Sequence, residues 1–294
     1  MNFRTIAELV ELANREKLPI SEIMILREME ISDRTYEEIF AQMERNLQVM
    51  EEAVERGIRG VQSVTGLTGG DAVLVQNYIQ EKTPLSGPIL LDAVSKAMAT
   101  NEVNAAMGII CATPTAGSAG TVPGVLFGVK NQLKPTREEM VRFLFTAGAF
   151  GYVVANNAFI SGAAGGCQAE VGSATAMAAA AVVEMAGGTP EQSAEAFAIA
   201  LKNLLGLVCD PVAGLVEVPC VKRNAAGASL AIVAADLALA GIKSRIPADE
   251  VIGAMYRIGK TMPVQLRETG EGGLADTPAG RFLRDKSFGK VTST

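Results

Sequence analysis

The residues of this chain best suited to demanding chemistry are its cysteines, because its 294 residues include four of them and no histidine. Three lie in small-residue or turn-forming surroundings: Cys167 in "SGAAGGCQAEVG", Cys209 in "LVCDPV" and Cys220 in "EVPCVKRN". A thiolate is a nucleophile and a soft metal ligand, so such a group points to metal binding, covalent catalysis or redox chemistry. The spacing is not that of a structural zinc site, which uses paired Cys-x-x-Cys knuckles or histidines. It is not the ferredoxin run either. Three loop cysteines at helix ends could still converge on one iron–sulfur cluster and leave one iron without a protein thiolate. Spacing alone favours the simpler alternative of buried, inert thiols, since free cysteine packs as a small hydrophobe. Cys111, in "MGIICATPT", has the surroundings of that core case.

The polar residues around these cysteines also have two readings each. Lys222 and Asp210 are the nearest charged neighbours and the candidate acid–base groups, with a solvated charge and a helix-end acceptor as the ordinary alternatives. Asn224 is either a substrate-binding amide or a helix cap. Two glycine-rich stretches, "SVTGLTGGDA" at 63–72 and "TPTAGSAGTVPG" at 113–124, could bring backbone N–H groups close to an anion such as a carboxylate. Thr65, Thr113, Thr115, Gly117 and Ser118 are their candidate substrate-binding residues. Neither stretch has phosphate-loop or dinucleotide spacing, and both could be plain turns between helices.

The elements that must position these groups are helical. Ile39, Met43, Leu47, Met50 and Val54 recur at helical spacing with Glu and Arg between them, which predicts an amphipathic outer helix. "TREE" at 136–139 and "TPEQ" at 189–192 are capping boxes, the second with Pro190 at the first helical position. The helix after Thr189 is expected to run into Cys209 and to stop at Asp210 and Pro211. Cys220 is expected in a loop ahead of a helix that Asn224 caps and Gly241 closes. Alternating strand patterns and internal repeats are missing from the sequence. The fold class is therefore all-α: buried Ala/Gly-rich helices joined by glycine-rich loops, with 1–60 as an N-terminal helical arm and 61–294 as the catalytic domain.

Composition narrows the function classes. A net charge of -6 argues against nucleic-acid and anionic-membrane partners, which select for clustered Lys and Arg. The N-terminal stretch carries charges throughout and lacks a signal-peptide core, so a cytoplasmic location with reduced cysteines is expected. Residues 143–169 carry no charge, but Asn156, Asn157, Ser161, Gln168 and a glycine-rich end predict a buried helix rather than a membrane span.

The phrases "GGCQAEVGSA" and "GLVCDPVAGLVEVPC" and the tripeptide Arg223-Asn224-Ala225 resemble the catalytic domain of bacterial iron–sulfur L-serine dehydratases. The likeness extends from about Ser86 to the last helix and fits the alpha subunit of the two-subunit form. It implies that Cys167, Cys209 and Cys220 ligate a 4Fe-4S cluster whose open iron acts as a Lewis acid on L-serine, giving pyruvate and ammonia. It further implies an all-helical catalytic domain and a separate beta subunit, whose Ser-Ser-His-Thr-like motif would supply the base that a chain without histidine lacks. Three departures stand out. Ala116 replaces an amide found in relatives, Asn203 replaces a histidine of single-chain relatives, and "FGKVTST" brings no tail cysteine. A related β-elimination such as L-cysteine desulfidation, a non-enzymatic iron–sulfur redox sensor and a structural subunit with inert thiols are the competing readings. Pyridoxal-phosphate chemistry lacks its sequence context.

Overall fold

Residues 173–183, "SATAMAAAAVV", are small enough for neighbouring helices to approach from every side, and all of them are buried. They form the axis of the structure, a computed structural model that describes residues 1–289. The end of the "FGKVTST" tail, where the resemblance implies no cysteine ligand, lies outside the described residues from 290 onward. Among the described residues the chain forms thirteen α-helices and no β-strand. These are α1 (Ile6–Glu16), α2 (Ile20–Ser32), α3 (Tyr36–Ile58), α4 (Asp71–Glu81), α5 (Pro88–Ala105), α6 (Thr121–Leu133) and α7 (Arg137–Asn157). They are followed by α8 (Gly162–Gly165), α9 (Ser173–Met185), α10 (Pro190–Lys202), α11 (Cys220–Leu239), α12 (Ala248–Thr261) and α13 (Pro278–Phe288). The all-α expectation holds.

Helices α6, α7, α10 and α11 pack around α9. The outer helix α3 turns Ile39, Leu47, Met50 and Val54 inward, as its spacing predicts. Both expected capping boxes are present, from Thr136 to Glu139 and from Thr189 to Gln192. The N-terminal segment buries Phe3, Ile6, Leu9, Ile20 and Ile23 in the same core as Phe143 and Phe150 of α7. The uncharged stretch is not one buried helix: it runs from the buried part of α7 through an exposed end at 155–157 and α8 to the turn at Gln168, and among the described residues no helix is long and apolar enough to cross a membrane.

Close helix contact sets the position of the second glycine-rich loop. Cβ atoms added at Gly124 and Gly128 of α6 would lie 2.6 and 2.4 Å from the Cβ atoms of Ala97 and Ala93 on α5. The two helices therefore meet backbone to backbone, and the loop at 113–120 is held where α6 begins.

Two helix boundaries differ from expectation. Helix α10 ends at Lys202, not at Cys209, because the chain turns through Gly206 at φ +85°, a left-handed conformation that breaks the helix. Helix α11 starts at Cys220 itself, so this cysteine is the first helical residue and Asn224 sits one turn inside rather than capping. Asn224 can lie within the helix because its Nδ2 donates back to the Cys220 carbonyl at 3.0 Å while the rest of its amide binds the loop at 117–121. The close at Gly241, φ +90°, follows the expected pattern.

Candidate metal centre and its flanking loops

Each cysteine is fixed by a different local device. After α8 the chain turns at Gly166 and places Cys167 ahead of one π-turn, Gln168–Gly172, that leads into α9. Gln168 joins this segment to the one carrying Cys209. Its backbone N–H donates to the Leu207 carbonyl at 2.9 Å, and its Oε1 accepts from the Gly206 N–H at 2.9 Å. Cys209 is then clamped by a short backbone bridge: its N–H donates to the Leu266 carbonyl at 2.8 Å, and its carbonyl accepts from Glu268 N–H at 2.7 Å. Cys220 opens α11, so its thiol lies at the positive end of a helix dipole.

The result is a buried group of soft and anionic donors. The Sγ atoms of Cys167 and Cys209 and a carboxylate oxygen of Glu170 lie within 4.8 Å of one another. The Cys209 thiol hydrogen-bonds to Cys167, which holds the Cys167 thiol below its ordinary pKa, and the Arg223 guanidinium adds to the effect. The same hydrogen bond, with burial, pushes Cys209 up. Cys220 is also pushed up, by burial first and then by the charges of Cys167 and Glu170, and its thiol lies outside the group that meets within 4.8 Å. Burial and the nearby Glu268 raise the Glu170 carboxyl, against a hydrogen bond from Thr115. Gly162 makes room for this group: a Cβ there would stand 2.6 Å from Cys209 Sγ and 3.0 Å from Glu170 Oε2. Thiols and carboxylates crowded this closely form a donor set for a thiophilic cation.

The two charged neighbours named from the sequence, Asp210 and Lys222, are already paired. Asp210 is buried, meets Arg223 Nη2 at 2.8 Å through Oδ1, and accepts from Leu274 N–H at 2.7 Å through Oδ2. Lys222 is 60% exposed and pairs with Asp71 at the start of α4. Arg223, half-buried one turn along α11 from Cys220, also donates to the Val208 carbonyl at 2.8 Å. It is the cation of the thiol group.

The glycine-rich loops dock on either side of the cysteines. Thr65 Oγ1 donates to both carboxylate oxygens of the buried Glu217, at 2.8 and 3.0 Å, three residues before Cys220. Thr115 donates to Glu170, three residues after Cys167. Ser118 Oγ donates to the Thr113 carbonyl at 2.8 Å. The Gly117 carbonyl accepts from Asn224 Nδ2 at 2.8 Å, and Asn224 Oδ1 accepts from Thr121 N–H at 3.1 Å and Thr121 Oγ1 at 2.9 Å. The Asn224 amide therefore works as a joint between α11 and this loop. Thr113 Oγ1 is buried without a protein partner, which leaves a donor available inside the site. Cys111 is a half-buried free thiol after α5, outside the donor group. A separate open groove of about 730 Å³, between α1, α10 and α12, contains none of these residues.

Glu170, Arg223, Glu217, Glu268 and Gln168 are absent from the sequence-derived site. Two of them carry a readable signal. Residues three apart share a helix face, so Cys167-x-x-Glu170 and Cys220-x-x-Arg223 each put a charge beside a thiol, while Lys222, two residues on, points elsewhere. Glu268 leaves no such trace, because only the bridge to Cys209 brings it near.

Comparison with known proteins agrees over nearly the whole chain. A family profile described as "Serine dehydratase alpha chain" matches residues 15–275. A "Probable L-serine dehydratase, alpha chain" of Bacillus subtilis is 72% identical, the match covering 98% of this chain and 96% of that one. An "L-serine dehydratase, alpha chain" of Peptoniphilus asaccharolyticus is 41% identical over 95% of this chain and 96% of that one. The "L-serine dehydratase TdcG" of Escherichia coli is 37% identical over 93% of this chain, but over only 62% of its own longer sequence.

Proposed function

This chain belongs to the serine dehydratase alpha chain family, and from that premise we propose that it is the alpha subunit of an L-serine dehydratase, converting L-serine to pyruvate and ammonia. The observation that carries the proposal is the convergence of Cys167 and Cys209 with Glu170 in one buried group that meets a threonine-bearing loop, with Cys220 also buried at the start of α11. A 4Fe-4S cluster fits this donor chemistry, since thiolates are its usual ligands and the surrounding carboxylates and thiols need a compensating cation. Bound by Cys167, Cys209 and Cys220, it would supply an iron without a thiolate as a Lewis acid for the serine hydroxyl.

The remaining work falls to the chain's own residues. Arg223 and the start of α11 stabilise thiolate charge. We assign the substrate carboxylate to the loop at 113–118, where the unpartnered Thr113 hydroxyl and the Thr115–Ser118 turn present donors. Asn224 and Glu170 hold that loop rigid against the cysteines, so the reacting groups meet in a fixed geometry. Loss of the Cα proton and departure of the hydroxyl as water leave aminoacrylate, which tautomerises to the imine and hydrolyses to pyruvate and ammonia.

The proton acceptor is the one part this chain does not provide. It has no histidine, Asp210 is held by Arg223 and the Leu274 N–H, and Lys222 is turned to Asp71. We place the base on a separate beta chain. The longer Escherichia coli relative supports this, because more than a third of its sequence has no counterpart here. The test is anaerobic reconstitution with iron and sulfide, with and without a beta-type partner, assayed for pyruvate from L-serine. Pyruvate is expected only when iron and partner are both present. Turnover by metal-free protein would overturn the proposal.

A further inference from the structure

We infer that Glu170 is a fourth protein ligand of the metal centre, a carboxylate that holds the position three thiolates leave and that substrate must displace. The inference rests on the function proposed above and concerns a residue outside the cysteine set. Its ground is the company Glu170 keeps compared with other buried carboxylates. Asp210 meets the Arg223 guanidinium. Glu184 accepts from Ile20 and Ser21 N–H at the start of α2, and Glu102 accepts from Asp71 N–H at the start of α4. Each of these charges, Glu184 being the half-buried one, is matched by a guanidinium or a helix N-terminus. The buried Glu217 has only the Thr65 hydroxyl, as Glu170 has only that of Thr115, but among the described residues Glu217 belongs to no cluster of thiol and carboxylate donors.

Glu170 is 6% exposed and has neither, its one side-chain donor being the Thr115 hydroxyl. No salt bridge to it forms among the described residues. What lies beside it instead is the pair of thiols, with its carboxylate oxygen and their Sγ atoms all within 4.8 Å of one another.

The carboxylate is also held in place from two sides. A Cβ added at Gly117 would stand 2.8 Å from Glu170 Oε1, and one added at Gly162 would stand 3.0 Å from Oε2. Two glycines on separate segments thus form a slot the width of a carboxylate, open toward Cys167 and Cys209. A buried anion confined in this way, without a protein cation and next to soft donors, is matched by a metal ion.

A purely structural role, in which Glu170 only accepts the Thr115 hydrogen bond, is separated from ligation by comparing two variants. Glu170→Gln keeps an oxygen acceptor for Thr115 but removes the anionic ligand, while Thr115→Val removes the joint and keeps the carboxylate. Wild type and both variants are reconstituted anaerobically and checked for helical content. Each is then exposed to a mild oxidant without serine, while iron release is followed with a chelator and the three-iron form by electron paramagnetic resonance. Glu170→Gln should lose its labile iron about tenfold faster than wild type, with Thr115→Val close to wild type. Equal release from Glu170→Gln and wild type would overturn the ligand role and leave the proposed function intact. A wild-type protein that assembles no cluster would overturn both.

Discussion

Cys209→Ala should yield a folded, helical protein that holds no stable iron and forms no pyruvate from L-serine even with a partner chain. Cys209 touches the core only marginally, in a small cluster with Cys167 and Val171, so truncation should cost about 1 kcal/mol of stability. Its chemical role is much larger. Its thiol lies within 4.8 Å of Cys167 and Glu170, so on the proposed ligation its loss removes a ligand and the neighbour that lowers the Cys167 thiol. Loss of a residue that merely supports a ligand weakens metal binding by roughly 10- to 100-fold, so loss of the ligand itself should exceed about a hundredfold. Iron content and pyruvate formation, measured together, check the result. Cys111→Ala is the control, because that thiol lies outside the group and should leave both unchanged.

Arg223→Met should be the most destabilising single change near the centre. The guanidinium is largely buried and pairs with an Asp210 whose side chain is 4% exposed. Methionine fills much of the volume but leaves that carboxylate without its cation, a loss of about 3–5 kcal/mol for a broken buried pair. The Val208 carbonyl, one residue before Cys209, loses its donor in the same step, so the cysteine segment loosens with the fold. Urea unfolding of the metal-free protein isolates the stability effect from metal binding. Adding Asp210→Asn to Arg223→Met should recover part of the loss, since the unpaired charge is then gone. No recovery would mean that the pair is incidental to stability.

The parts of this protein visible in its sequence are those set by local chemistry. The boxes at Thr136–Glu139 and Thr189–Gln192 start helices because their partners lie three residues away, within one turn. The face of α3 is equally local. The family resemblance joins Cys167, Cys209 and Cys220, but spacing alone does not, since their proximity depends on tertiary ties. Gln168 binds the Gly206–Leu207 turn, and the segment at 266–268 clamps Cys209. Asn224 shows why a boundary goes astray. Asn, next to turn-forming residues, signals a cap, yet its amide is taken up by Gly117, Gly120 and Thr121 more than 100 positions away, and the helix passes through it. The site's acids and bases divide the same way. Lys222 is only two residues from Cys220 yet points to α4, while Glu170 and Arg223, each three residues from a cysteine, meet the thiols.

The central claim is that three cysteines of this chain hold one cluster with an iron accessible to serine. Mössbauer spectroscopy of wild-type protein, reconstituted anaerobically with isotopically enriched iron and titrated with L-serine, tests it most directly. The account predicts about one iron in four distinct from the rest, and a change in that iron alone when L-serine binds. A spectrum with no cluster, or one with all irons alike and indifferent to L-serine, would contradict it.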